Sequence, residues 1–192
     1  MLHLAAPSGA LTDAASGVER RDPARLVEGK RMLDPDQVLF RNAMSRVVSA
    51  VHIVSTDGLA GLAGITANSV TSVSDHPAIM LACVNKTSHS APRFLQNGVF
   101  CINSLAAGDE SLANDFAGRT GLHLDARFGR GLWGKLITGA PVLNSAVAVF
   151  DCKLLDVRDV ATHHVLFGEV VAVRHQSGGA CLAYHDRRFL TV

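Results

Sequence analysis

Residues 64–90, GITANSVTSVSDHPAIMLACVNKTSHS, constrain the fold more than any other stretch. Residues 65–73 alternate like a strand but are crowded with short hydroxyl and amide side chains: Thr66, Asn68, Ser69, Thr71 and Ser72. Ser74-Asp75-His76-Pro77 reads as a turn. Residues 78–84 form a continuous apolar run, which predicts a strand buried on both faces. The stretch closes with Asn85-Lys86-Thr87-Ser88-His89-Ser90, a set of donors at an expected helix start. Two donor-rich segments joined by a tight hairpin can converge on one anionic ligand.

The remaining chain frames this stretch. Residues 1–33 are weakly patterned and read as a flexible N-terminal arm, with the domain proper at 34–192. Asp34-Pro35-Asp36 combines a cap, a first-turn proline and an acid suited to the helix dipole, so a helix is expected over 35–46. Residues 47–55 are rich in β-branched side chains and read as one strand. A short helix is expected from about residue 90 to 96, closed by Asn97-Gly98. A strand follows over 99–105, then a helix over 108–116 with Leu112 and Phe116 on one face. Residues 118–139 hold six glycines and the lone Trp133, and read as a lid or subunit contact. Two long strands over 146–159 and 163–175 precede a last strand starting at Cys181. Sequential strands with short turns predict a mainly β, antiparallel barrel with a few helices.

Composition narrows the function. The 192 residues are 48% hydrophobic and 18% charged with formal net charge +1, as expected of a globular chain. No basic block and few aromatics speak for a nucleic-acid surface. No apolar run approaches the roughly 20 residues that a membrane helix needs. The four cysteines show no metal or disulfide spacing and read as buried thiols, which predicts a reducing, cytoplasmic location. There is no G-x-S-x-G elbow and no G-x-G-x-x-G turn after a strand. His163 and His164 are adjacent, so on a strand they face opposite sides and do not share a metal. With no evident acid, base or nucleophile, the chain suits chemistry carried by a cofactor.

Gly64-Ile65-Thr66-Ala67-Asn68-Ser69, Ser72-Val73-Ser74, Asn85 with Ser88-His89-Ser90, and Phe100-Cys101-Ile102-Asn103 form an ordered motif set. Phe116-Ala117, His164 with Phe167-Gly168-Glu169-Val170, and Tyr184-His185 continue it. In this set the chain resembles the short-chain flavin reductase family, whose fold is a flavin-binding split β-barrel. The resemblance implies an NAD(P)H:flavin oxidoreductase that transfers hydride to FMN or FAD and serves a partner monooxygenase. It also implies a homodimer, and NADH or NADPH as donor. Carried over, Thr66, Ala67, Asn68, Ser69, Val70, Thr71 and Ser74 become flavin contacts. Asn85, Ser88, His89 and Ser90 fall near the phosphate, with Lys86 or Arg93 able to add charge. Phe116 falls beside the ring, His164 on the nicotinamide side, and Tyr184 in the same pocket. The family tends to have glycine where this chain has Arg187, so a left-handed backbone there would be strained. A flavin-binding carrier or sensor of the same fold, without nicotinamide turnover, is the alternative reading.

Overall fold

The computed structural model describes residues 34–192, so the arm at 1–33 lies outside the described residues. The described residues divide into two units, 34–46 and 47–192. In the first unit, α1 spans Pro35–Ser45. Asp34 accepts the Asp36 N–H at 3.2 Å and Pro35 fills the first turn, as the sequence predicts. No residue of α1 is buried.

The second unit is antiparallel sheet. Its first strands are β1 (Ser49–Ala50), β2 (His52–Thr56), β3 (Ala63–Ala67), β4 (Val70–Asp75) and β5 (Ala78–Asn85). After α2 (Ala91–Asn97) come β6 (Val99–Ser104) and α3 (Glu110–Phe116). Then follow β7 (Trp133–Lys135), β8 (Pro141–Leu143), β9 (Ala148–Val160), β10 (His163–His175), β11 (Leu182–His185) and β12 (Arg188–Thr191). Seven of these form one sheet in the order β3-β2-β6-β9-β10-β5-β4. Its two edge strands, β3 and β4, are joined by Asn68-Ser69 alone. Two residues span under about 10 Å, so the sheet must curl until its edges meet. The Cys83 N–H donates to the Ser69 carbonyl at 3.0 Å, which extends the β4–β5 ladder by one residue up to that joint. The barrel closes at the stretch that constrained the fold.

Several expectations change here. Residues 65–73 are two strands, not one, because β3 pairs with β2 and β4 pairs with β5 at opposite edges of the sheet. The expected strand over 47–55 also splits, since β1 pairs with β11 while β2 joins the barrel. β5 is not buried on both faces: Met80, Ala82 and Val84 are buried while Ile79, Leu81 and Cys83 are half-buried. Met80, Ala82 and Val84 meet Val54, Phe94, Phe100, Ile102 and Leu166 inside the barrel. β2 is buried on both faces instead, as is the short β8. The other face of β2 joins a second core with Cys101, Leu112, Phe116, Val142, Leu143 and Leu182. One strand more than expected follows Tyr184: Asp186 and Arg187 form a two-residue hairpin between β11 and β12. Both carry positive φ, 47° and 61°, as a type I′ turn demands. Arg187 therefore occupies the left-handed position that glycine fills most easily.

Candidate functional site

Four segments of the second unit surround one cavity of about 850 Å³. The end of β3 and the barrel seam supply Ile65, Thr66, Ala67, Asn68 and Ser69. β5 and the turn into α2 supply Cys83, Asn85, Thr87, Ser88, His89, Ser90 and Arg93. The end of α3 and the segment after it supply Phe116, Ala117, Gly118, Gly121, Leu122, His123, Leu124 and Arg127. β10 adds His163.

Local bonding fixes each wall. Thr66 Oγ1 donates to the Ala113 carbonyl at 2.7 Å, pinning β3 to α3. Asn85 Oδ1 accepts both the N–H and the hydroxyl of Thr87 at 2.9 Å, an Asx turn that shapes the approach to α2. Ser90 is buried and its Oγ donates to the Gly64 carbonyl at 3.3 Å. Ser88 Oγ accepts the Ser90 N–H at 3.2 Å, which leaves its own hydroxyl hydrogen to donate.

The wall after α3 is held by aromatic rings. Phe116 meets Phe128 edge-on at 4.8 Å, and Phe128 meets Trp133 at 4.9 Å. Gly64 makes room for this cluster, since a Cβ there would lie 2.7 Å from the Phe116 ring. Arg127 Nε donates to the Leu122 carbonyl at 3.1 Å, turning the segment back over the cavity. The excursion expected to be a lid or subunit contact thus supplies a wall of the cavity.

The lining has a definite electrostatic character. It contains Arg93 and Arg127, the histidines His89, His123 and His163, and no aspartate or glutamate. Backbone carbonyls accept from both arginines and orient them, and Arg93 also meets the Asp125 carboxylate, outside the lining, at 3.3 Å. Such a cavity attracts an anion. The Cys83 thiol reaches the same wall, and burial raises its pKa. Cys101 and Cys152 are buried as expected, whereas Cys83 and Cys181 are only half-buried. Burial pushes the Cys152 thiol up to about 12. No group of three or more His, Cys, Asp or Glu able to hold a metal occurs among the described residues.

Of the residues singled out by sequence, Thr66, Ala67, Asn68, Ser69, Asn85, Ser88, His89, Ser90 and Phe116 all line the cavity. Five do not. Val70 and Thr71 lie beyond the seam on β4, where register with β5 carries them away. Ser74 Oγ is used in the hairpin, accepting the His76 N–H at 3.2 Å. Tyr184 lines a smaller neighbouring cavity of about 160 Å³ with Phe189 and Arg119. The two cavities share Thr66, Ala67, Asn68 and Ala117.

His164 is the clearest correction. It pairs across β10 with Val84, a residue of the barrel interior, so it shares that inner face. Its Nδ1 lies 2.6 Å from Asp159, whose other oxygen meets Lys86 at 3.3 Å. Hydrogen bonds from His164 and then Lys86 hold the Asp159 carboxyl below its usual pKa. His163, one residue earlier, faces the cavity instead, with Nδ1 2.9 Å from Thr162 Oγ1. Gly168 does not approach the cavity either: a Cβ there would strike Phe100 and Cys152 in the core. Sequence reasoning also missed His123 and Arg127. The signal was present as cations set among glycines in the 118–139 excursion.

Comparison with known proteins places this geometry. A flavin reductase-like domain profile matches residues 44–192. The chain is 48% identical over 159 residues to an FMN reductase (NADH), RutF 2, from Methylorubrum extorquens strain PA1, covering 81% of this chain and 91% of that protein. It is 45% identical over 150 residues to the FMN reductase (NADH) RutF of Variovorax paradoxus strain S110, covering 78% and 82%. Among solved structures, the flavin reductase component of a bacterial two-component tryptophan halogenase superposes with a TM-score of 0.76 at 29% identity, covering 82% and 98%. An NADH:FAD oxidoreductase from Streptomyces globisporus, in complex with NAD and FAD fragments, superposes with a TM-score of 0.74 at 29% identity, covering 84% and 96%. The chain belongs to the flavin reductase-like family.

Proposed function

We propose that this protein is an NADH:FMN oxidoreductase that binds flavin in the 850 Å³ cavity and supplies reduced flavin to a separate monooxygenase component. The observation that carries the reading is the lining: two arginines, three histidines and no acid beside the small side chains of Ala67, Ser69 and Ala117. A flavin mononucleotide needs these two things together, cations for a phosphate and a flat, low wall for a ring. FMN is favoured over FAD because the more similar relatives carry FMN in their names, while FAD appears with a structure at 29% identity.

When bound, the flavin supplies the hydride-accepting chemistry. The chain's own residues bind and orient. Arg93 and the Ser88 hydroxyl hold the phosphate end, and Ala67 to Ser69 lie along the ring. His163, oriented by Thr162, replaces His164 as the contact for the nicotinamide nucleotide. The wall carrying Arg127 and Phe116 limits water at the ring. The reading includes a homodimer, by resemblance, and a cytoplasmic location consistent with four free thiols.

The test is NADH consumption by the pure protein with and without FMN. Consumption should require FMN. His163→Ala should lower kcat/KM for NADH about tenfold, the loss of one good polar contact. His164→Ala should stay within about twofold, because that ring faces away from the cavity. FMN binding without NADH oxidation would move the protein to the carrier reading.

A further inference from the structure

Arg93 is the one cavity-lining cation, among the described residues, that meets a carboxylate. Its Nη1 donates to the Leu62 carbonyl and lies 3.3 Å from Asp125 Oδ1. Asp125 opens a short 3-10 helix, Asp125–Gly129, in the wall after α3. Its side chain is 66% exposed and lines neither cavity. Arg127, from the same short helix, donates to the Leu122 carbonyl and meets no acid among the described residues. The cavity therefore has two arginines, of which only one is partly neutralised.

We infer that Asp125 sets how tightly the cavity holds a phosphorylated ligand, by competing with the phosphate for Arg93. The inference rests on the flavin reading above. A phosphate that reaches Arg93 meets a second anion on the same guanidinium. The two repel, and the pair must be shared or broken. The Leu62 carbonyl holds Arg93 independently, so removing the carboxylate frees charge without losing the arginine's position. The same pair ties α2 to the wall after α3, so phosphate capture also loosens that wall. A protein that must hand its reduced flavin onward gains from such a weakened grip, because a ligand held too firmly is released slowly.

The experiment is equilibrium binding of FMN and of riboflavin, which lacks the phosphate, followed by flavin fluorescence. FMN dissociation rates are measured beside it. Asp125→Asn should tighten FMN roughly threefold and slow its dissociation, with riboflavin unchanged. Arg93→Gln should loosen FMN about tenfold and leave riboflavin unchanged. Unchanged or weaker FMN binding by Asp125→Asn, or an equal shift for both flavins, would overturn the inference alone. So would a wild type that binds both flavins equally. A wild type that binds neither would overturn the flavin reading itself.

Discussion

His52 shows how one position on β2 fixes a charge state. The ring is 8% exposed and Nδ1 lies 3.0 Å from Ser104 Oγ. Burial lowers its pKa from 6.5 to about 4. In the unfolded chain the ring titrates at its ordinary value. Between those two values the unfolded chain binds more protons than the folded one, so stability falls as pH drops through that window. Comparing urea unfolding near pH 7 and near pH 4.5, this group should cost the wild type about 2–3 kcal/mol at the lower pH. His52→Asn should lose less by that amount; an identical pH dependence in both proteins would show that His52 is protonated without penalty. At the same scale, His163 and His164 differ in surroundings because neighbouring residues on a strand face opposite sides. Their adjacency was plain in the sequence. Which of them faced the cavity depended on the register of β10 against β5, which pairs His163 with Asn85.

At the scale of elements, Asn103 of β6 joins three strands. Its Nδ2 donates to the Ile53 carbonyl and to Ser55 Oγ on β2, both at 3.1 Å, and its Oδ1 accepts the Leu143 N–H of β8 at 2.8 Å. The residue is fully buried. Asn103→Ala should destabilise the fold by about 2–3 kcal/mol, since it strands buried polar groups on two other strands. Chemical denaturation measures this directly, and a loss under about 0.5 kcal/mol would contradict it. The elements themselves were largely legible. Asp34 and Pro35 announced α1, Asn97-Gly98 ended α2, and the long strands β9 and β10 followed their apolar pattern. The illegible breaks were those where pairing partners change. Nothing local distinguishes Asn68-Ser69 from the strand residues around it; the break exists because β3 and β4 belong to opposite edges of one sheet. The same long-range pairing left Val70 and Thr71 outside the cavity while Ala67, Asn68 and Ser69 stayed in it.

For the whole molecule, barrel closure and the cavity are one feature. The sheet's edges meet at Asn68-Ser69, and the cavity opens at that seam. Donors from β3, from the turn before α2 and from β10 converge there because closure brings the ends of the sheet together. The wall after α3 completes the enclosure and adds Arg127, while α2 adds Arg93. The donor density around Asn85 and Ser88 was plain in the sequence, and the structure places both on the cavity. The cationic wall was not plain there, because its place depends on the packing of Phe116, Phe128 and Trp133. The most direct measurement is a crystal structure of the protein soaked with FMN. The account predicts the flavin ring along Ala67, Asn68 and Ser69, with the phosphate against Ser88 and Arg93. Flavin bound elsewhere, or a phosphate remote from Arg93 in this cavity, would contradict it.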